Sequence, residues 1–583
     1  MPEDRRIPTP APADLPSFKI LIGGSQVSAE YQVQALTISR SFNRVAEAQL
    51  LILDGDPAAE DFMVSAGDDF IPGNEIQIQV GYHGNEESLF TGLIVRHGIQ
   101  ARSQRPSLLK IECKDAAVKL TVQRNSSYFY DATDGEIIEQ IAAAAGLTAD
   151  VEATTVTHEG MVQYYASDWD FVLMRAEANG RQVSTVDGKL VVKAPDGAGD
   201  PVLNLTYGGN ILDFEAHMDA RDQFDTATAH AWDPANQEMQ EVEGADAVAT
   251  SPGNVSEAEL AAVVGLDGRT LSHGGQLVET ELQAWADGQR LKSGYSKVRG
   301  RVRIQGFGQV VPGDKITLNG VGDRFNGDAL VSGVRHELSA KNWETDISFG
   351  LDPAWFGVER RDLVEAPVGG LLPGVNGLQI GLVTALADDP AGENRIQVRL
   401  PMIDPAEEGV WARIATLDAG EERGSFFLPE IGDEVIIGFL YGDPRNPIML
   451  GMLNSSAKPA PLAASDDNHE KGFVTRSGIK LLFNDDTSTF TLETPNGNRL
   501  IVDDSSGSVT LEDESGNLLK MESSGVTIES VADINIKASG DVNIEGTSIN
   551  IAAATEAKIE GSAGAEISSG GSTVVKGSIV QIN

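Results

Sequence analysis

DINIKASGDVNIEGTSINIAAATEAKIEGSAGAEISSGGSTVVKGSIVQIN, residues 533–583, alternates Ile and Val with small polar residues and is punctuated by Gly. It holds no Pro, Cys, His or aromatic residue. Its apolar residues fall in pairs that begin slightly upstream. The second members are Ile528, Ile536, Ile544, Ile551, Ile559, Ile567, Val575 and Ile582, in steps of 8, 8, 7, 8, 8, 8 and 7 residues. The first members are Val526, Ile534, Val542, Ile549, Ala557, Ala565, Thr573 and Val580. Each unit reads as a short strand that sets two side chains on one face, followed in most cases by a Gly- or Ser-containing turn.

The period decides between architectures. Single-chain β-helices use six- or nine-residue units with their own signatures, and neither is present. One chain winding three units per rung makes under three rungs from residues 526–582, a poor core. Three chains each supplying one face make about eight layers with Ile and Val meeting on an axis, each buried side chain contributing about 1.5–3 kcal/mol. The expected trimer core is Val526, Ile528, Ile534, Ile536, Val542, Ile544, Ile549, Ile551, Ile559, Ile567 and Val575. The smaller first members Ala557, Ala565 and Thr573 suggest a prism with less side chain inside toward its end. The absence of Pro suits unbroken strand pairing. The bland alternative is a loose hairpin tail or a low-complexity stalk.

Across its 583 residues the chain is 41 % hydrophobic and 22 % charged, ordinary for a soluble globular protein of three to four domains. The net charge of −43 is not ordinary. It argues against nucleic acid and anionic membrane surfaces as partners, and is most simply read as solubility. The single cysteine, Cys113, rules out an intrachain disulfide and reads as a small buried hydrophobe in a strand. The Pro-rich, charged N-terminus lacks the apolar core of a secretory signal. No run approaches the roughly 18 apolar residues of a membrane helix. Folding in the cytoplasm is expected.

Residues 1–17 read as a flexible arm. Short alternating strands over 18–120 (FKILI, QALTISRSF, AQLLIL, EIQIQVGY, LFTGLIVRH, LLKIECKD) make a first small β-barrel. Residues 121–295 are mixed, with helices expected at 134–145, capped by Asp134 and stopped by Gly146, and at 168–180, 256–264 and 275–294. A second strand set occupies 296–358 and repeats the first: IPGNEIQI and LFTGLIVRH (71–78, 89–97) against VPGDKITL and ALVSGVRH (311–318, 329–336). Both carry Pro-Gly-x-x-Ile, then Val-Arg-His, which reads as a duplicated domain with His97 and His336 in matching positions. A linker (359–375) leads to five short strands in 376–453, suited to an OB-fold barrel. A polar bridge (454–470) precedes the repeat-bearing region, 471–583. The fold class is thus mainly β with an α+β N-terminal part.

No His-Glu-x-x-His, Gly-x-Ser-x-Gly, phosphate-binding Gly-x-x-x-x-Gly-Lys or paired-Cys zinc pattern is present. Asp168 and Asp170 flank Trp169 at a helix start, where a cap and a helix-dipole partner explain them more simply than acid–base catalysis. No catalytic residue, metal site or cofactor is expected.

GLVTALADDPAGENRIQVRLP, WARIAT, FFLPEIGDEVIIGFLYGDPRNPIMLGML and KGFVTRSGIKLLFNDD…TLETPNGNRLIVDD together resemble the valine-glycine repeat spike proteins (VgrG) of contractile injection systems. SDWDFVLMRAEANG and PGDKITLNGVGDRFNGDALVSGVRH resemble the phage late-control D domain. The resemblance implies a homotrimer whose paired β-barrels match a hexameric inner tube and baseplate. It further implies an OB-like domain and a triple-stranded β-helix needle that punctures the target envelope. A PAAR-type tip protein would sit on Gln581, Ile582 and Asn583, and effector cargo could ride along. The phage spike's lysozyme domain has no room in 454–470, and no His follows His469 to build a metal tip. The plain ending suggests a particle released outside the cell rather than a type VI spike. The rivals are a trimeric tailspike that degrades polysaccharide, which would need aromatics in the repeat, and an adhesin, which would need variable loops there.

Overall fold

The computed structural model describes residues 15–582 apart from 196, 198, 246–247, 249–250, 267, 340–341 and 361. Residues 1–14 of the expected arm and Asn583 lie outside that set. The chain divides into two units, Met1–Gly377 with Gly438–Pro447, and Leu378–Ile437 with Ile448–Asn583.

Two six-stranded sets dominate the first unit. The first set is β1 (Pro16–Ile22), β2 (Val33–Ser41), β3 (Glu47–Leu53), β4 (Glu75–Tyr82), β5 (Asn85–Arg102) and β6 (Arg105–Lys114). Strand β1 begins inside the expected arm. Alternation places Ile76, Ile78 and Val80 of β4 in the core, with Leu50, Ile52, Phe90 and Ile111. The mixed region that follows carries α1 (Asp134–Ala144) and α2 (Asp168–Ala178). The second set begins within that region, earlier than the expected 296–358, with β7 (Leu203–Thr206) and β8 (Ile211–Met218). Next come α3 (Glu257–Val264) and α4 (Glu279–Ser296), then β9 (Val298–Gln305), β10 (Lys315–Asn319), β11 (Gly327–Ser339) and β12 (Trp343–Phe349).

The two sets have the same strand order, β2-β3-β6-β5-β4-β1 and β8-β9-β12-β11-β10-β7, and pairing of β11 with β2 joins them. They differ at the last pair: β1 lies antiparallel to β4, β7 parallel to β10. The duplication extends to single hydrogen bonds. The Gly73 N–H donates to the Ile94 carbonyl at 2.8 Å, and the Gly313 N–H to that of Val331 at 2.9 Å. Both glycines are left-handed, φ +105° and +102°, which is why Gly follows Pro in each copy. Register shifts follow at matching places, between Ile94 and Arg96 and between Val331 and Gly333. A second matched pair of shifts separates Val33 from Ala35 and Ile211 from Asp213. This register corrects one reading. If Ile94 matches Val331, His97 matches Val334, so the two Val-Arg-His triplets are two residues out of step. The histidines have different surroundings too: His97 bonds Ser65 and the Phe70 carbonyl, whereas His336 is fully buried against Thr345.

Helix boundaries also differ from expectation. The cap of α1 is Thr133, in a reciprocal capping box with Glu136. Asp134 is instead buried, accepting both guanidinium nitrogens of Arg175 at 2.6 and 2.9 Å. The cap of α2 is Ser167, whose hydroxyl accepts from the Asp170 N–H, and Asp168 accepts from Asn125 and Gln163. Helix α4 starts four residues later than expected, with no side-chain cap. The linker is pinned at several points: Arg124 donates to the carbonyls of Asp362 and Leu363, the Tyr441 hydroxyl donates to Glu365, and the Val375 N–H donates to the Gly442 carbonyl.

In the second unit, β13 (Gln379–Ala385), β14 (Ile396–Arg399), β15 (Val410–Ile414), β16 (Glu434–Phe439) and β17 (Pro447–Met452) close a barrel in the order β13-β14-β15-β17-β16. Val383, Ile396, Val398, Ala412, Val435, Ile437 and Met449 fill it.

Candidate functional site

Past the barrel, seven five-residue strands run antiparallel in chain order: β18 (Glu470–Val474), β19 (Lys480–Asn484), β20 (Thr489–Glu493), β21 (Arg499–Asp503), β22 (Ser508–Glu512), β23 (Leu518–Glu522) and β24 (Gly525–Glu529). Because side chains alternate, the register sorts them by face. Phe473 sits opposite Leu481, Leu481 opposite Leu492, Leu492 opposite Leu500, and Leu500 opposite Leu511. Leu511 then pairs with Leu519, and Leu519 with Ile528. A second row on the same face runs Phe483, Phe490, Val502, Val509, Met521 and Val526. The other face is mixed: it presents Thr491, Thr510, Lys520 and Thr527, with Val474, Leu482, Ile501 and Leu518 among them.

The hairpins that set this register repeat every 19 residues. Gly478, Gly497 and Gly516 are left-handed, at φ +88°, +95° and +91°, and each N–H donates to the carbonyl three residues back, on Thr475, Thr494 or Asp513. The carboxylate of Asp513 is held below its usual range, chiefly by the Asn517 side chain and backbone. That of Asp503 is lowered in the same way by Ser505 and Ser506. These acids fasten turns. The 19-residue glycine spacing is legible in the sequence as TRSG, TPNG and DESG, a longer period than the eight-residue one of the C-terminal ladder.

Val526 and Ile528 therefore belong to a continuous apolar face that reaches back to Phe473. Past Glu529 no strand pairing is assigned among the described residues. The expected inward residues Ile534, Ile536, Val542, Ile544, Ile549, Ile551, Ile559, Ile567 and Val575 are 53–78 % exposed. Ile582 is 92 % exposed, and Gln581 is exposed beside it. Among the described residues nothing covers this ladder. A sheet with one apolar face needs another layer against that face. Extended backbone needs partners for its N–H and C=O groups, which a single chain does not offer here.

Among the described residues no cluster of three or more His, Cys, Asp or Glu side chains could hold a metal ion. No helix among them is long and apolar enough to cross a membrane. Cys113 is buried and its thiol is pushed up to about 12 by desolvation, which makes it inert.

Comparison with known proteins matches three stretches of the chain to family models. Residues 12–340, more than half of the chain, match the Alg8 N-terminal domain. Residues 379–453 match the type VI secretion system/phage-baseplate injector OB domain, and 489–553 the phage baseplate V C-terminal trimerisation domain. The type VI secretion system spike protein VgrG1b of Pseudomonas aeruginosa is 28 % identical over 219 residues, 35 % of this chain and 28 % of that protein. The chain belongs to the Alg8 N-terminal domain family and is a VgrG-like spike protein. The spike protein VgrG3 of Vibrio cholerae is 33 % identical over 116 residues, 18 % of this chain and 11 % of that protein. The chain spans under a third of the length of these curated relatives. Among solved structures, a tail protein from Neisseria meningitidis is 15 % identical at a TM-score of 0.44, covering 59 % of this chain and 98 % of that one.

Proposed function

We propose that this spike protein is a homotrimer acting as the central hub and puncturing needle of a contractile injection system. Its two six-stranded sets, three times over, present six similar units to a hexameric inner tube and its baseplate. Its C-terminal faces meet on a threefold axis as a needle. The observation that carries this reading is the unbroken apolar face from Phe473 to Ile528, against a mixed face behind it, prolonged by the exposed ladder to Ile582. The match of residues 489–553 to a domain described as a trimerisation domain supports it. The role is mechanical: sheath contraction drives the tube forward, and a dense interchain core keeps the needle folded under load.

Gln581, Ile582 and Asn583 would seat a PAAR-type tip protein, and effector cargo could travel with the needle. Synthesis in the cytoplasm and assembly into a particle released from the cell complete the proposal. Electron microscopy of particles from producing cells, with gold-labelled antibody against the hub, tests it. Label at one end of sheathed tubes is expected; preparations in which the chain never accompanies a tube would overturn it.

A further inference from the structure

The duplication places two free strand edges on each chain, and we infer that they pair between neighbouring chains in a stated register. This rests on the trimeric reading above and goes on to specify how the hub closes.

Inside one chain, β11 uses one edge twice. Residues 327–330 run along β10, and Gly333–Ser339 run along Ser41–Ala35 of β2. Its counterpart β5 spends residues 85–93 on β4, and Arg96–Arg102 carry no assigned strand on the same edge. The counterpart of β2 is β8, which among the described residues pairs only with β9 and is an edge strand of the sheet. Each chain therefore holds one copy of the internal junction and both halves of a second. Long unpaired edges of this kind are templates for another strand.

The register follows from the matched register shifts. Ile94 corresponds to Val331, and Val33 to Ile211, so the β11–β2 pairs translate directly. Arg96 meets Asp219 of the next chain, Gly98 meets His217, Gln100 meets Glu215 and Arg102 meets Asp213. On the alternate face His97 meets Met218, Ile99 meets Ala216 and Ala101 meets Phe214. One face of the new junction is thus polar, with an Arg opposite an Asp at each end. The other is apolar apart from His97, and Phe214, Ala216 and Met218 already lean on the second core. The translation also accounts for an exposed residue: Ile99, 55 % exposed, is the counterpart of His336, 3 % exposed within the closed junction. Such a contact joins different surfaces of the two chains, so it propagates head to tail and closes as a ring of three. The ring then contains six like junctions, three within chains and three between them.

Disulfide trapping in the full-length chain tests the register. The two double variants are Ile99→Cys with Ala216→Cys, and Gln100→Cys with Glu215→Cys. Adjacent antiparallel pairs alternate between hydrogen-bonded and non-hydrogen-bonded geometry, so one of the two designs meets the shorter spacing. Cys113 is buried and stays silent. Mild oxidation should give covalent trimers on a non-reducing gel for at least one design, and none for Ile99→Cys with Leu212→Cys, which is four residues out of register. A solution trimer in which neither in-register design cross-links would overturn the junction and leave the trimer standing; a monomeric unmodified protein would overturn both. Amide exchange on the unmodified protein gives an independent reading. Arg96–Arg102 and Ile211–Met218 should be protected as strongly as Gly333–Ser339, and rapid exchange along either edge of a trimer would refute the pairing.

Discussion

Leu511→Asp probes the apolar face that the proposed needle would bury. Leu511 stands between Leu500 and Leu519 and is 52 % exposed in the single chain. Fully burying a Leu contributes about 1.5–3 kcal/mol, so the half still exposed is worth about 1 kcal/mol per chain and about 3 kcal/mol per trimer. The substitution forfeits that and sets three carboxylates in an apolar layer, where an unpaired charge costs several kcal/mol more. At 1.4 kcal/mol per decade, the burial loss alone weakens trimer association about 100-fold. Sedimentation across a concentration series measures this directly. The control is Thr510→Asp, one residue away on the opposite face, which should change association by no more than about threefold. The penalty also has a pH sign. An aspartate in the assembled layer has its pKa raised above the unfolded value of about 3.9, so the defect is largest at neutral pH and fades as pH falls toward 4. Equal behaviour of Leu511→Asp and Thr510→Asp would refute the assignment of faces.

Ile544→Asp should likewise block trimerisation by placing three carboxylates in one layer of the ladder, read as a shift to monomer mass; undiminished trimer would contradict its inward placement. Asp134→Asn should cost about 1.5–3 kcal/mol of hub stability in chemical denaturation, because it removes the charged fork to Arg175, which keeps only its Glu281 carboxylate. His336 is held down to about 3, against an ordinary 6.5, by burial first and then by Arg40. The unfolded state therefore takes up a proton the folded state refuses, and hub stability falls as pH drops from about 6.5 toward 3. Denaturation at stepped pH should show a shallower decline in His336→Gln.

Much of this architecture was legible because period and burial coincide. EIQIQVGY alternates over a half-buried strand, and the five apolar runs of residues 379–453 are short and evenly bounded, so both regions could be read as sheet. The Pro-Gly repeat exposed the duplication, since a left-handed residue after Pro must be Gly in both copies. Its fine register was hidden. The register shifts after Ile94 and Val331 are backbone events with no residue signature, and the recurring Val-Arg-His triplet pointed to an equivalence two residues off. Strands β7 and β8 escaped for a related reason: LNLT and ILDFEAHM lie far in sequence from the sheet they complete, and only long-range pairing assigns them. The caps went to Thr133 and Ser167 rather than to neighbouring Asp residues because a hydroxyl beside a helix start bonds the third N–H, freeing Asp134 to hold Arg175. The C-terminal ladder was the clearest signal in the chain, and a single copy leaves it without a partner.

The mass of the full-length protein in solution, by light scattering behind a sizing column, tests the central claim most directly. The account predicts three times 61.9 kDa, stable to dilution. A species of 61.9 kDa that remains folded and soluble would contradict it, because the face from Phe473 to Ile528 would then have no second layer to meet.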